Sequence, residues 1–316
     1  GSVPTMPAMT HTLPRILLLG MNGQVGWELQ RSLAPLGELI ALDRWGHPQH
    51  MGTVGDLRDL EGLARTVQLL RPDVIVNAAA HTAVDKAESE TDLCRVLNTE
   101  APAVLARCAA ASGAWLVHYS TDYVFDGTGN TPWTEQDTPA PVNVYGHTKL
   151  EGERAIVTSG CRHLIFRTSW VYGARGGNFA KTMLRLAQER DQLTVIDDQF
   201  GAPTGADLLA DVTAHAIRRA FQAPSVQGLY HLVAAGETSW HGYARYVLSQ
   251  AQAFGAALKV DPDAVTAVPT SAFPTPARRP HNSRLNTELL QHTFGLRLPH
   301  WHSGVTRMLT EHLSRG

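Results

Sequence analysis

The sequence predicts an α/β protein: a doubly wound parallel sheet with a smaller, discontinuous second domain. Three observations predict it. Apolar runs of strand length alternate with helical periodicities through the first half. The first strand-to-helix junction is rich in glycine. After residue 170 the alternation gives way to helices and proline-containing loops.

Taken in order, residues 16–19 form an apolar run suited to a strand buried on both faces. Gly20, Gly23 and Gly26 follow as G-x-x-G-x-x-G, and Val25, Leu29 and Leu33 then recur at helical spacing. Strand, glycine turn and helix together are the context of a Rossmann-type dinucleotide fingerprint. Its glycines permit a tight turn, close approach of backbone N–H groups to a pyrophosphate, and close helix–strand packing. The helix also points its positive dipole end at the phosphates. Gly20, Asn22, Gly23, Gln24, Val25 and Gly26 are therefore candidate cofactor contacts.

Residues 39–42 give a second strand that ends at Asp43, and residues 60–70 a helix. Residues 74–80 read as a third strand, opened by Arg71-Pro72-Asp73. Residues 91–111 read as one long helix, with Pro102 marking a kink or a helix start. Residues 115–120 and 164–168 supply two more strands, and 228–233 the last. Residues 178–189, 206–221 and 304–313 read as helices, the first with Phe179, Met183, Leu186 and Ala187 on one side. Residues 269–280 hold Pro269, Pro274, Pro276 and Pro280 and read as an ordered loop or an exposed linker. The expected division assigns 14–170 and 201–235 to dinucleotide binding, and 171–200 and 236–316 to the substrate. Residues 1–13 are set aside as a tag-like terminus without the regions of a signal sequence.

Composition narrows the function classes. A net charge of −2 gives no footing for nucleic acid or an acidic membrane surface. No run approaches the ~18 apolar residues of a membrane span. Cys94, Cys108 and Cys161 are isolated and fit a reducing, cytoplasmic compartment. The fifteen histidines show no metal-type spacing, so His81, His118, His147 and His231 read as core or rim residues.

The chemistry-bearing pair is Tyr145 and Lys149, four apart and so on one helical face. An ammonium there is expected to lower the phenol's pKa and make it a usable general acid. A surface tyrosine beside a solvated lysine would give the same spacing. Ser120-Thr121-Asp122 follows a strand, where open α/β sheets bind their ligands. Thr121 is suited to bond a substrate oxygen, or else to close a local hydroxyl turn.

Glycine loop, strand-end threonine and Tyr-x-x-x-Lys, in that order, resemble the extended short-chain dehydrogenase/reductases. The nearer resemblance is to members acting on nucleotide-linked 4-keto-6-deoxy sugars. It is carried by residues 20–27, 77–88, 120–125, 167–172, 198–204 and 279–285. The resemblance implies hydride transfer from NADPH or NADH to C4 of such a sugar, dTDP-4-dehydro-L-rhamnose becoming dTDP-L-rhamnose. Tyr145 is the implied acid, Lys149 its partner and a ribose ligand, and Thr121 a contact to the reacting oxygen. Ala78, Ala79, Ala80 and Thr82 are implied to line the cofactor, and Asp56 and Leu57 to lie near the adenine. Val84, Asp85 and Asp122 are implied to approach the sugar, and Trp170 to wall its site unless it is a core residue. Asn178 and Arg279 are implied to hold the diphosphate, with Arg278 and Arg279 otherwise a solvated pair. Asp43 favours an unmodified ribose and Arg44 a 2′-phosphate, so use of both cofactors is expected.

Three alternatives stay open. A 4-epimerase of the same fold would keep its cofactor bound. A 4,6-dehydratase would need Asp-Glu after the threonine, where this chain has Asp122-Tyr123. The family also contains a non-catalytic regulatory subunit. Some relatives form homodimers around Mg²⁺ held by three glutamates. The matching positions here are Glu28, Asp207 and Glu311, with Asp207 one methylene short.

Overall fold

The computed structural model describes residues 1–3 and 13–314, so most of the leading segment lies outside the described residues. Six parallel strands form the central sheet: β1 (Arg15–Leu19), β2 (Glu38–Leu42), β3 (Val74–Asn77), β4 (Trp115–Thr121), β5 (Arg162–Thr168) and β6 (Gly228–His231). Their order is β6-β5-β4-β3-β1-β2. The order reverses between β1 and β3, and a ligand crevice opens at such a switch point.

Helices cover both faces: α1 (Gln24–Leu33), α2 (Leu60–Leu70), α3 (Thr91–Arg95), α4 (Ala101–Ser112), α5 (Val144–Ser159), α6 (Phe179–Glu189), α7 (Ala206–Gln222), α8 (Trp240–Ala253) and α9 (Trp301–Leu313). Leu29 and Leu33 of α1 join Leu209, Ala216 and Ile217 of α7 over one face. Leu63 and Val67 of α2, Leu105 and Ala109 of α4, and Ile156 of α5 fill the other. A separate apolar cluster joins α6, α8 and α9 through Leu184, Tyr243, Val247, Trp301 and Leu309.

Several boundaries differ from the sequence expectation. The third strand stops at Asn77, which pairs with Leu19, the last residue of β1. Beyond it β1 also ends while β4 runs on to Thr121, and Ala79 and Ala80 turn into the crevice. The last strand likewise ends at His231, opposite Arg167. The long helix is broken by the wider turn Val96–Glu100, after which Pro102 opens α4. Pro102 has no N–H to offer the preceding turn. The released Asn98 carbonyl faces Gly152 of α5, where an added Cβ would sit 2.2 Å from it. The final helix starts at Trp301, capped by His300. The short helix Glu288–Phe294, expected with the second unit, instead buries Leu290 in the sheet core and sets Phe294 against Tyr230.

Candidate active site

The glycine turn is built as its spacing requires. Gly20 has φ +82°, and an added Cβ would meet the Ala79 nitrogen at 2.7 Å. At Gly26 it would meet the Gly20 carbonyl at 1.8 Å. At Gly23 it would meet nothing closer than 3.6 Å, so no contact within the chain explains that glycine. A cleft of about 310 Å³ opens beside it, lined by Asn22, Gly23, Asp43, Arg44, Asp56, Leu57, Ala79 and Ala80 among others. This cradle fits a dinucleotide phosphate. Ala78 lies behind Gly20, Val25 packs on the core, and Gln24 leans on Gly173. Thr82 is exposed and does not line the cleft.

Asp43 accepts a bond from the Trp45 backbone N–H at 2.8 Å, which holds its carboxylate at the cleft edge. Arg58 chelates Asp56, with the nearest N–O distance 2.9 Å, and depresses its pKa. Asp43→Ala should shift preference toward NADPH by up to about fivefold, the scale of one partly exposed charge. Steady-state kinetics with each cofactor check this, and equal losses with both would show that Asp43 does not read the ribose.

Thr121 ends β4. Its hydroxyl oxygen accepts from the Tyr123 N–H at 3.1 Å and faces Asp122 at 3.4 Å. The local hydroxyl turn is therefore present, and the Tyr145 phenol lies near enough to the same Thr121 side chain for its hydroxyl to favour the phenolate. Asn143 caps α5 by accepting from the Gly146 N–H, which sets the first turn that carries Tyr145. Lys149 is buried and donates to the Tyr119 carbonyl at 2.6 Å.

The expectation that Lys149 lowers the Tyr145 pKa is corrected here. Burial, followed by the neighbouring Tyr123 and Asp122, pushes the phenol above its ordinary range. Lys149 does not offset this because its ammonium is turned onto the end of β4. Burial brings Lys149 itself down to about 8, against the opposing charge of Glu153.

Asp122 is buried, and desolvation raises it to about 7, tempered by hydroxyls of Ser283, Ser169 and Thr121. A carboxyl raised from 3.8 by folding holds its proton more tightly in the native state, so its contribution to stability falls as pH rises from about 4 to 7. Asp122→Asn should therefore gain melting temperature relative to the parent protein as pH goes from 5 to 8. A constant difference across that range would refute the burial argument.

The sugar-side residues converge only in part. Arg279 pairs with Asp85 at 2.8 Å, and its charge acts on the nearby Tyr123 phenol. Tyr123 in turn stands edge-on to Tyr145, with ring centres 5.6 Å apart. A cleft of about 480 Å³ holds Tyr123, Trp170, Gln199, Trp240, Arg279 and Ser283 among its walls. Trp170 takes the left-handed conformation, φ +49°, and stacks on Trp240 with centres 3.9 Å apart. Gly201 makes room for its indole, since an added Cβ would stand 2.8 Å away. Val84 opens the helical turn Val84–Ala87, beside Asp85. Arg278 and Arg279 both line a second cleft of about 770 Å³, which meets the first at Arg279. Asn178 departs from expectation. It caps α6 by accepting from the Lys181 N–H, donates to the Gly173 carbonyl, and lines neither cleft. Its carbonyl oxygen serves the cap, and its amide nitrogen donates to the Gly173 carbonyl and to Met308 Sδ.

Glu28, Asp207 and Glu311 face one another closely enough that Asp207, Asp211 and Glu311 help burial to raise the Glu28 pKa. Glu28 is also paired with Arg31, and Glu311 with Arg307. Among the described residues, no three such ligands come together with metal-binding geometry. His118 and His231 are buried and held neutral, His81 is buried, and His147 is exposed.

Tyr123, Trp240, Gln199 and Ser283 were not singled out from the sequence. Tyr123, Gln199 and Ser283 lie inside motifs that carry the resemblance, while Trp240 reaches the cleft from far along the chain with no local pattern to mark it.

The RmlD substrate binding domain family model matches residues 14–314. The chain is 61% identical over 296 residues to the dTDP-4-dehydrorhamnose reductase of Shigella flexneri, covering 94% of this chain and 97% of that protein. The Salmonella typhimurium dTDP-4-dehydrorhamnose reductase is 62% identical over the same shares of the two chains. A solved Bacillus anthracis dTDP-4-dehydrorhamnose reductase, in complex with NADP, superposes with a TM-score of 0.81 at 34% identity, covering 94% of this chain and 99% of that one.

Proposed function

This chain belongs to the RmlD substrate binding domain family, within the extended short-chain dehydrogenase/reductases, and we infer that it reduces dTDP-4-dehydro-L-rhamnose to dTDP-L-rhamnose with NADPH or NADH. The observation that supports this reading is that Thr121 ends β4, Lys149 of α5 reaches the Tyr119 carbonyl of the same strand, and Tyr145 stands edge-on to Tyr123 in the wall of the larger cleft.

When bound, the nicotinamide supplies the hydride. Gly20, Asn22, Gly23 and the walls of the small cleft would hold the dinucleotide, with Asp43 and Arg44 at the ribose and Lys149 at the nicotinamide ribose. Thr121 and Tyr145 would both address the C4 oxygen of the sugar. Tyr145 delivers the proton that neutralises the developing alkoxide. Burial disfavours the phenolate left behind, so Tyr145 enters the reaction protonated. Trp170, Tyr123 and Asp85 shape the sugar side, and Arg279 stands ready for phosphate oxygens with a planar donor fork. Residues 14–170 and 201–235 act as the cofactor unit, and 171–200 with 236–316 as the sugar-nucleotide unit, the helix Glu288–Phe294 riding on the former.

Spectrophotometric oxidation of NADPH and NADH with dTDP-4-dehydro-L-rhamnose tests the reading, with UDP- and GDP-linked keto sugars alongside. Multiple turnovers of added cofactor are expected. Tightly retained NAD with no turnover would overturn reduction in favour of epimerisation.

The carboxylate face of Glu28, Asp207 and Glu311 is read as a homodimer surface. Mg²⁺ would there be shared between copies, since one chain does not complete a ligand set. Light scattering with and without EDTA should show a dimer that weakens on chelation. A monomer in both conditions sinks the dimer, and a dimer indifferent to EDTA sinks the metal's role. Three free cysteines fit a reducing cytoplasm, and no helix among the described residues is long and apolar enough to cross a membrane.

A further inference from the structure

We propose that Glu153 is a positioning residue for the reduction: it ties α5 to the ends of β4 and β5 and holds the charge of Lys149, one helical turn before it. The proposal rests on the reading of Lys149 given above.

Glu153 and Arg167 are 4% and 3% exposed. Arg167 donates to both carboxylate oxygens of Glu153, from Nη2 at 2.7 Å and from Nε at 2.9 Å. The Ser120 hydroxyl donates to the same carboxylate. Arg167 Nη1 then faces His231 Nε2 at 3.4 Å, while His231 Nδ1 bonds the Trp133 carbonyl at 2.9 Å. Burial and the Arg167 charge keep His231 neutral, its pKa down to about 3, so it can accept from the guanidinium.

The neighbours of this network are the candidate catalytic residues. Ser120 precedes Thr121, and Arg167 precedes Thr168, the register partner of Thr121 on β5. Glu153 follows Lys149 by four residues on one face of α5. A tilt of α5 would move Tyr145 and Lys149 relative to Thr121, and the three-way bond at Glu153 resists it. Stability alone does not account for the pair, because a buried ion pair is often no better than an apolar pair of the same size.

The electrostatics point the same way. The ionisable groups around Lys149 are Glu153 and Tyr145 on its own helix, Cys94 on α3 and His118 on β4. Burial raises the Cys94 thiol and the Tyr145 phenol, and His118 stays neutral. Glu153 is therefore the anion among them that favours the lysine cation. Arg167 holds that anion in place through both carboxylate oxygens.

The test is the pH dependence of kcat/KM for E153Q, E153D and the double variant E153Q/R167M, with K149M measured in parallel. The alkaline limb of the parent enzyme should fall near the Lys149 value of about 8. E153Q should move that limb down by about one pH unit, the scale of a lost neighbouring charge, and lower kcat roughly tenfold with little change in KM. E153D should return the limb toward the parent position. The double variant removes both charges and leaves neither buried alone, so it remains measurable if E153Q folds poorly. Its limb should stay displaced. Parent-like limbs in both E153Q and the double variant would overturn the proposal by reducing Glu153 to a packing role. Parent-like rates in K149M would overturn it at its base, by removing Lys149 from the reaction.

Discussion

Tyr145→Phe should bind NADPH as the parent protein does and lose between about 10²- and 10⁴-fold in kcat, the usual weight of a positioned general acid. The phenol is half-buried and packed edge-on against Tyr123, so the ring remains after substitution and only the hydroxyl is lost. One hydrogen bond contributes about 0.5–1.5 kcal/mol to stability, too little to unfold the chain. The consequence falls on chemistry because the C4 alkoxide loses its proton donor. Lys149 cannot replace it while its ammonium is held on the Tyr119 carbonyl. Cofactor titration by fluorescence and kcat by NADPH oxidation separate the two effects. A variant that keeps more than about a tenth of the parent kcat would show that the proton comes from elsewhere.

Arg167→Ala should be the most destabilising of the substitutions considered. It leaves the Glu153 carboxylate buried with the Ser120 hydroxyl as its one remaining polar partner, and it removes a donor from His231. Breaking a buried pair from one side costs about 3–5 kcal/mol. For a chain of this size that corresponds to roughly 5–15 °C in Tm. The lost cation over the Phe125 ring, 5.0 Å from its centre, adds to the same side. Thermal unfolding by circular dichroism measures the shift, with E153Q/R167M expected to recover most of it. A Tm within about 2 °C of the parent would mean that water or a side-chain rearrangement solvates Glu153.

The contrast between what the sequence held and what folding added follows from how each signal is encoded. Buried parallel strands must be apolar on both faces, so residues 16–19 and 115–120 announced themselves, and the sheet of six strands followed. The glycine loop was legible because its constraints are local: positive φ at Gly20 and van der Waals exclusion at Gly26 act within seven residues. Tyr145 and Lys149 were legible for the same reason, since four residues on a helix fix a shared face.

Strand ends and ligand roles were not local in this sense. β3 stops level with β1, and both β3 and β6 stop short of the ends of β4 and β5, which no window of their own sequence contains. The Tyr145 phenol pKa depends on burial and on where the Lys149 ammonium points. Spacing placed the cation nearby, but the Tyr119 carbonyl claimed it. Asn178 was expected at a diphosphate and became a helix cap, because its side chain had a nearer N–H to satisfy. Trp240 and Ser283 entered the sugar-side cleft from more than a hundred residues away from Tyr123. The sequence alone thus determined the fold class, the glycine cradle and the shared helical face of Tyr145 and Lys149, all set by short-range sterics and helical periodicity. The tertiary structure decided which polar groups are desolvated and which partners they find. Those are properties of the assembled interior, where hydrogen-bond and charge energies depend on atoms that the chain brings together only when it folds.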